Sequence, residues 1–101
     1  MTIRIFKLPL NCSYAFMNYN FAVKNAKNNK VTIYDYVHVY TYDIEHNDNI
    51  SNLLDEIFEK FNVNHPDDYY SSSLSVSDVV MVDDDAYYCD SFGWQKLPDW
   101  R

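Results

Sequence analysis

The chain of 101 residues has the length of one modest domain, able to bury about 65% of the surface its unfolded form exposes. Its 48% hydrophobic content, with 10 Tyr, 6 Phe and 2 Trp, excludes a disordered chain, and its single Gly excludes collagen-like, linker-like and glycine-rich phosphate-loop designs. A net charge of −7 excludes the basic footprint needed for direct binding to nucleic acid or an anionic membrane.

Ile3 to Leu8 reads as a first strand stopped by Pro9. Arg4 and Lys7 interrupt its apolar residues, unlike a signal peptide, and no apolar run approaches the ~20 residues that span a bilayer. A soluble, cytoplasmic protein is expected. After a cap at Asn11 or Ser13, residues 14–27 carry Tyr14, Met17, Phe21 and Lys24 at helical spacing. Phe16, Tyr19 and Val23 form a second face, and together they predict a helix. Asn28-Asn29-Lys30 predicts a turn.

Residues 31–44 predict a long strand with a bend or bulge. Val31, Ile33, Val37 and Val39 fall on one side, expected to meet the core, with Asp35 the exception. Tyr34, Tyr36, Tyr40 and Tyr42 fall on the other, flanking His38. The tyrosine face either packs under a helix, the favoured use, or forms a half-exposed interaction surface, since tyrosine joins apolar area to a polar tip. Past the polar loop 45–49, Ile50, Leu53, Leu54, Ile57, Phe58 and Phe61 mark one face of an amphipathic helix capped by Asn49 or Ser51. Asn64 to Asp68 ends it. Val76 to Val82 and Ala86 to Ser91 predict a hairpin turning at Asp83-Asp84-Asp85. Gly93 sits where a positive φ or a close backbone approach is needed, and Leu97 and Trp100 are expected to cover the sheet.

Charge is unevenly distributed. Residues 1–34 hold Arg4, Lys7, Lys24, Lys27 and Lys30 and no acid; residues 35–101 set all fifteen acids against Lys60, Lys96 and Arg101, a balance of −12. Either the basic segment packs beside the acidic body and partly neutralises it, or an acidic face is displayed to a basic partner.

The case for an enzyme is poor. Asp83-Asp84-Asp85 lacks the alternating ligands and central glycine of a calcium loop and suits a solvated turn. His38, His46 and His65 have no metal-ligand spacing. Cys12 and Cys89 form no CxxC pattern; two reduced thiols are favoured over a single disulfide. Ser73, Ser75 and Ser77 lie in no nucleophile elbow and suit turn hydrogen bonding. No catalytic residue, metal site or cofactor is expected.

Four blocks of sequence carry a resemblance: Glu59-Lys60-Phe61-Asn62 with His65-Pro66-Asp67-Asp68; Ser73-Leu74-Ser75-Val76-Ser77-Asp78-Val79-Val80; Ala86-Tyr87-Tyr88; and Asp90-Ser91-Phe92-Gly93. In order and spacing the stretch from Ile57 to Trp94 resembles the YodL-like domain of small bacterial and mobile-element proteins. Tyr70-Ser71-Ser72 departs from it, standing where a Gly or basic residue is expected, which points to a different partner if that position makes contact. The resemblance implies a compact α+β domain, found beside antirestriction-type modules on plasmids, conjugative elements and phages, with no known catalytic activity.

The expected fold is thus a single α+β domain over residues 1–101, a mostly antiparallel sheet of four to five strands with two helices packed on it. The expected function is that of a non-enzymatic inhibitor of a host defence nuclease, of anti-CRISPR or antirestriction type. Carboxylates Asp67, Asp68, Asp83, Asp84 and Asp85 would occupy a basic nucleic-acid-binding groove of a protein target, with Tyr69, Tyr70 and Tyr87 as anchors. A homodimer through the tyrosine strand is a further possibility of the same sequence. The alternatives are a host-encoded regulator of a chromosomal cell-division, cytoskeletal or developmental protein, and a small metal-dependent hydrolase using the aspartate turn.

Overall fold

The computed structural model describes residues 1–100; Arg101, counted above among the cations, lies outside the described residues. Five strands, β1 (Thr2–Lys7), β2 (Val37–Asp43), β3 (Val79–Val82), β4 (Asp85–Cys89) and β5 (Trp94–Leu97), form one antiparallel sheet in the order β2-β1-β3-β4-β5. Two helices, α1 (Tyr19–Asn25) and α2 (Ile50–Val63), complete an α+β architecture.

β1 and the central strand β3 bury side chains on both faces. Ile3 and Ile5 of β1, with Val80 and Val82 of β3, pack under Leu53, Leu54, Ile57 and Phe61 of α2. Phe6, Val79, Ala86 and Tyr88 face the other way, beneath Ala22 of α1, Tyr14, Tyr36 and the C-terminal Trp100. This two-sided burial is why Val79 to Val82 reads as a continuous apolar run rather than an alternation. Trp100 meets Phe6 and Tyr36 edge-on, with ring centroids 5.6 and 5.0 Å apart, so the end of the chain does cover the sheet.

α2 begins where the sequence indicates, with the Asn49 side chain accepting the Asn52 N–H at 3.1 Å. α1 is shorter than expected. Residues 14–17 form turns, Phe16 adopts a left-handed φ of +65°, and the helix starts only after Asn18, whose side chain accepts the Phe21 N–H. Asn28 and Asn29 are left-handed in the turn that follows, as Asn tolerates. Gly93 has φ +73°, and the residues after it form β5.

The faces of residues 31–44 depart from the expected pattern. Residues 33–35 form a short 3₁₀ turn and only Val37–Asp43 is strand. Within it Ile5 pairs with Tyr40 but Phe6 pairs with His38, so Val39 is bulged out of register. The slip turns Tyr40 and Tyr42 toward α2, where their rings meet Phe61 at 5.6 Å, and sends His38 to the opposite face against Phe6. Tyr40 and Tyr42 are therefore half-buried under α2, Val39 packs against the same core, and of the expected aliphatic side Val31 and Ile33 meet the opposite core while Val37 does not. Tyr36 enters the opposite core, Tyr34 and Val37 are exposed, and Tyr40 and Tyr42 carry intramolecular packing.

Candidate functional site

The residues singled out for binding divide between two places. Asp83, Asp84 and Asp85 lie at the end of the sheet where β1 begins, β2 ends and β3 turns into β4. Asp83 is left-handed at φ +53°, and Thr2 brackets it: the Thr2 N–H donates to Asp83 Oδ1 and the Asp83 N–H to the Thr2 carbonyl, both at 2.8 Å. Asp83 is thus a structural clasp between hairpin and first strand. The same Thr2 donates its hydroxyl to Asp43 Oδ1 at 2.9 Å, which brings a further exposed carboxylate to this end. Glu45 and Asp48 are exposed on the loop that leads from Asp43 to α2, where Asp48 contacts the His46 ring. The nearby cations are largely engaged: Lys96 Nζ lies 3.6 Å from Asp85, and the terminal ammonium donates to the Ile44 carbonyl at 2.8 Å. Asp43 was not evident in the sequence, because only the β1–β2 pairing carries it to the aspartate hairpin; its one signal is its place at the end of the tyrosine strand.

Asp67 and Asp68 lie elsewhere, past the end of α2 and beside the outer strand. Asp68 accepts the Tyr40 hydroxyl at 2.6 Å, which raises that phenol's pKa. Tyr69 corrects the expectation of an anchor. It is 2% exposed, wedged against Phe61 at 4.8 Å and Tyr40 at 5.5 Å, and donates its hydroxyl to the Ser72 carbonyl at 2.6 Å. The alternation of the chain points Tyr69 inward and leaves Tyr70 out in solvent. Tyr87 is half-buried, lining a cleft with Ile50, Leu54 and Trp94 at the start of α2.

The serine block is a buried polar knot. Lys7 and Asp78 form an ion pair at 2.6 Å with both side chains nearly covered; Lys7 Nζ also donates to the Ser73 carbonyl, and the Ser75 N–H donates to Asp78. Burial pushes the Asp78 carboxyl above its ordinary value, and Lys7 pulls against that shift. Ser77, left-handed at φ +84°, accepts the Phe16 N–H on its hydroxyl at 2.9 Å and the Tyr36 hydroxyl on its carbonyl at 2.6 Å. Lys7–Asp78, with the exposed Lys30–Asp99 pair, ties two cations of the basic segment to acids of the body.

Cys12 and Cys89 are free thiols, and burial pushes Cys89 up to about 12, far from a reactive thiolate. Among the described residues, no group of three or more His, Cys, Asp or Glu is placed to hold a metal ion, and no helix is long and apolar enough to cross a membrane.

The blocks that carry the sequence resemblance thus include the knot at Ser77-Asp78 and the turn at Gly93, features of architecture more than of chemistry. No curated protein and no solved structure matches the chain. The family model of the YodL-like domain matches residues 2–100, nearly the whole length. On that match the chain belongs to the YodL-like domain family.

Proposed function

We propose that this protein is a non-enzymatic binding module that presents its acidic sheet end to the basic nucleic-acid-binding groove of a protein target. The proposed setting is a mobile element or phage blocking a host defence nuclease of CRISPR or restriction type, in the cytoplasm, where both thiols stay reduced. The observation that carries the reading is the meeting at Thr2 of Asp43 with Asp83 of the Asp83–Asp85 turn, where Lys96 pairs with Asp85. Carboxylates clustered on a firm sheet end steer a cationic surface toward them and can stand in for phosphates.

The test is competition binding to purified guide-loaded CRISPR effectors and restriction enzymes, with and without their DNA. Binding should weaken with salt, displace DNA, and fall at least tenfold in the double variant Asp84→Lys/Asp85→Lys. Asp83 is left intact because its carboxylate holds Thr2. Binding that ignores both salt and this charge reversal would overturn the acidic-end reading and favour a regulator of a chromosomal protein.

A further inference from the structure

A second surface lies away from the acidic end. A groove of about 740 Å³ runs beside β2, lined by Leu10, Phe16, Val37, Val39 and Leu74, with serines 71–73 along one wall. Its apolar residues are unusually open for a chain this small: Leu10 is 84% exposed, Phe16 58% and Val37 54%, while Tyr70, next to the serine wall, is 92% exposed. The sheet order leaves the outer side of β2 unpaired, and Val37–Asp43 contains no Lys or Pro, the residues that commonly block an edge.

The backbone is strained to keep this surface as it is. A phenylalanine at positive φ is sterically costly. Here it is held by Ser77, itself left-handed, whose buried hydroxyl accepts the Phe16 N–H, and by the Tyr88 hydroxyl, which donates to the Met17 carbonyl at 2.7 Å. Two unfavourable backbone conformations and two long-range hydrogen bonds therefore fix a ring that remains largely in water.

Charge identifies the occupant. Among the described residues lining the groove the one cation, Lys7, is consumed by Asp78 and the Ser73 carbonyl, whereas Asp68 stands exposed beside β2, bonded to Tyr40, with exposed Asp67 preceding it in the chain. The groove carries apolar and serine side chains with its lysine spent, and the exposed carboxylate bonded to the same strand is anionic. A second copy of this chain carries −7 itself, and the bulge at Val39 bends the edge away from the flat pairing two sheets would need. A single extended strand can follow such a bend. We infer that the groove along β2 takes an extended partner segment in which Lys or Arg alternates with aliphatic residues, added beside the sheet edge with its apolar side chains against Phe16, Val37 and Val39. This inference uses different residues from the acidic-end reading, and either can fail alone.

The test follows backbone amide resonances of the full chain titrated with a short peptide alternating lysine and valine, and with its glutamate–valine counterpart. The expected result is saturable, salt-weakened shifts at Val37–Asp43 and Phe16 with the lysine peptide and none with the glutamate peptide. Phe16→Gly removes the ring while suiting the left-handed backbone, so it should fold with an unchanged or raised melting midpoint yet bind at least tenfold more weakly. Asp67→Lys/Asp68→Lys should do the same to binding, and Asp84→Lys/Asp85→Lys should leave the Val37–Asp43 shifts intact. Shifts confined to the Asp83–Asp85 end, equal binding of both peptides, full binding by Phe16→Gly, no shifts at β2, or dimerisation through β2 without peptide would each overturn the inference.

Discussion

At the residue scale the most consequential feature is a pair that local sequence patterns do not connect. Lys7 closes β1 and Asp78 opens the approach to β3, and the sheet brings them within 2.6 Å out of water. Removing one partner strands the other as a buried charge, so Asp78→Ala should cost about 3–5 kcal/mol, read by urea unfolding. The double variant Lys7→Met/Asp78→Leu should recover most of that loss, because apolar side chains need no partner there. The raised Asp78 pKa sets the sign of its acid response. The folded state binds this proton more readily than the unfolded one, so the group's contribution is greatest below the ordinary carboxylate range and falls as pH rises through its folded value. In the sequence Ser77-Asp78 looked like strand-edge hydrogen bonding, which is right in kind. Its long-range partners Lys7, Phe16 and Tyr36 were invisible because nothing local encodes them.

At the element scale, legibility tracked how far local signals agreed with tertiary demands. α2 could be read almost to the residue: a cap, one apolar face, and His65-Pro66 beyond its end. Asn49→Ala should cost about 1 kcal/mol through loss of the cap, and Phe61→Ala about 3–5 kcal/mol, since Phe61 is fully buried among Tyr40, Tyr42 and Tyr69. Thermal or denaturant unfolding checks both. α1 was overextended because Tyr14, Met17 and Phe21 have helical spacing, although Tyr14 reaches the core from a turn, its hydroxyl donating to Asp35 at 2.7 Å. Here the exchange of hydrogen bonds with Ser77 and Tyr88 overrode periodicity. In β2 one bulged residue sent His38 to the face opposite Tyr40 and Tyr42, since a slip of one position in a period of two exchanges one face for the other.

At the scale of the whole molecule, the tyrosines couple the fold to alkali. Burial drives the phenols of Tyr42 and Tyr69 up to about 12 and those of Tyr14, Tyr36 and Tyr88 higher still; Tyr40 is raised by its hydrogen bond to Asp68. Below the ordinary phenol value of 10 these groups are protonated in both states and their stabilisation is complete. Above it the unfolded chain ionises them first, so stability should fall from pH 10, with the share of Tyr42 and Tyr69 spent by about 12 and that of Tyr14, Tyr36 and Tyr88 still falling beyond it. Circular dichroism and tyrosinate absorbance followed together should show the buried phenols ionising with unfolding rather than before it. Two independent titrations, with tyrosinate appearing while the circular dichroism is unchanged, would contradict this.

Composition, charge asymmetry and the patterns of α2 and the β3–β4 hairpin determined the α+β class, the acidic character and the family resemblance, because each is a local or additive property of the chain. Strand order decided the rest. It placed β2 at an edge, joined Asp43 to the aspartate hairpin through Thr2, separated that acidic end from Asp67 and Asp68, and turned Tyr69 into core while leaving Tyr70 in water. Those outcomes depend on which distant residues pair and in what register, and register is set by burial summed over the whole sheet rather than by any one segment.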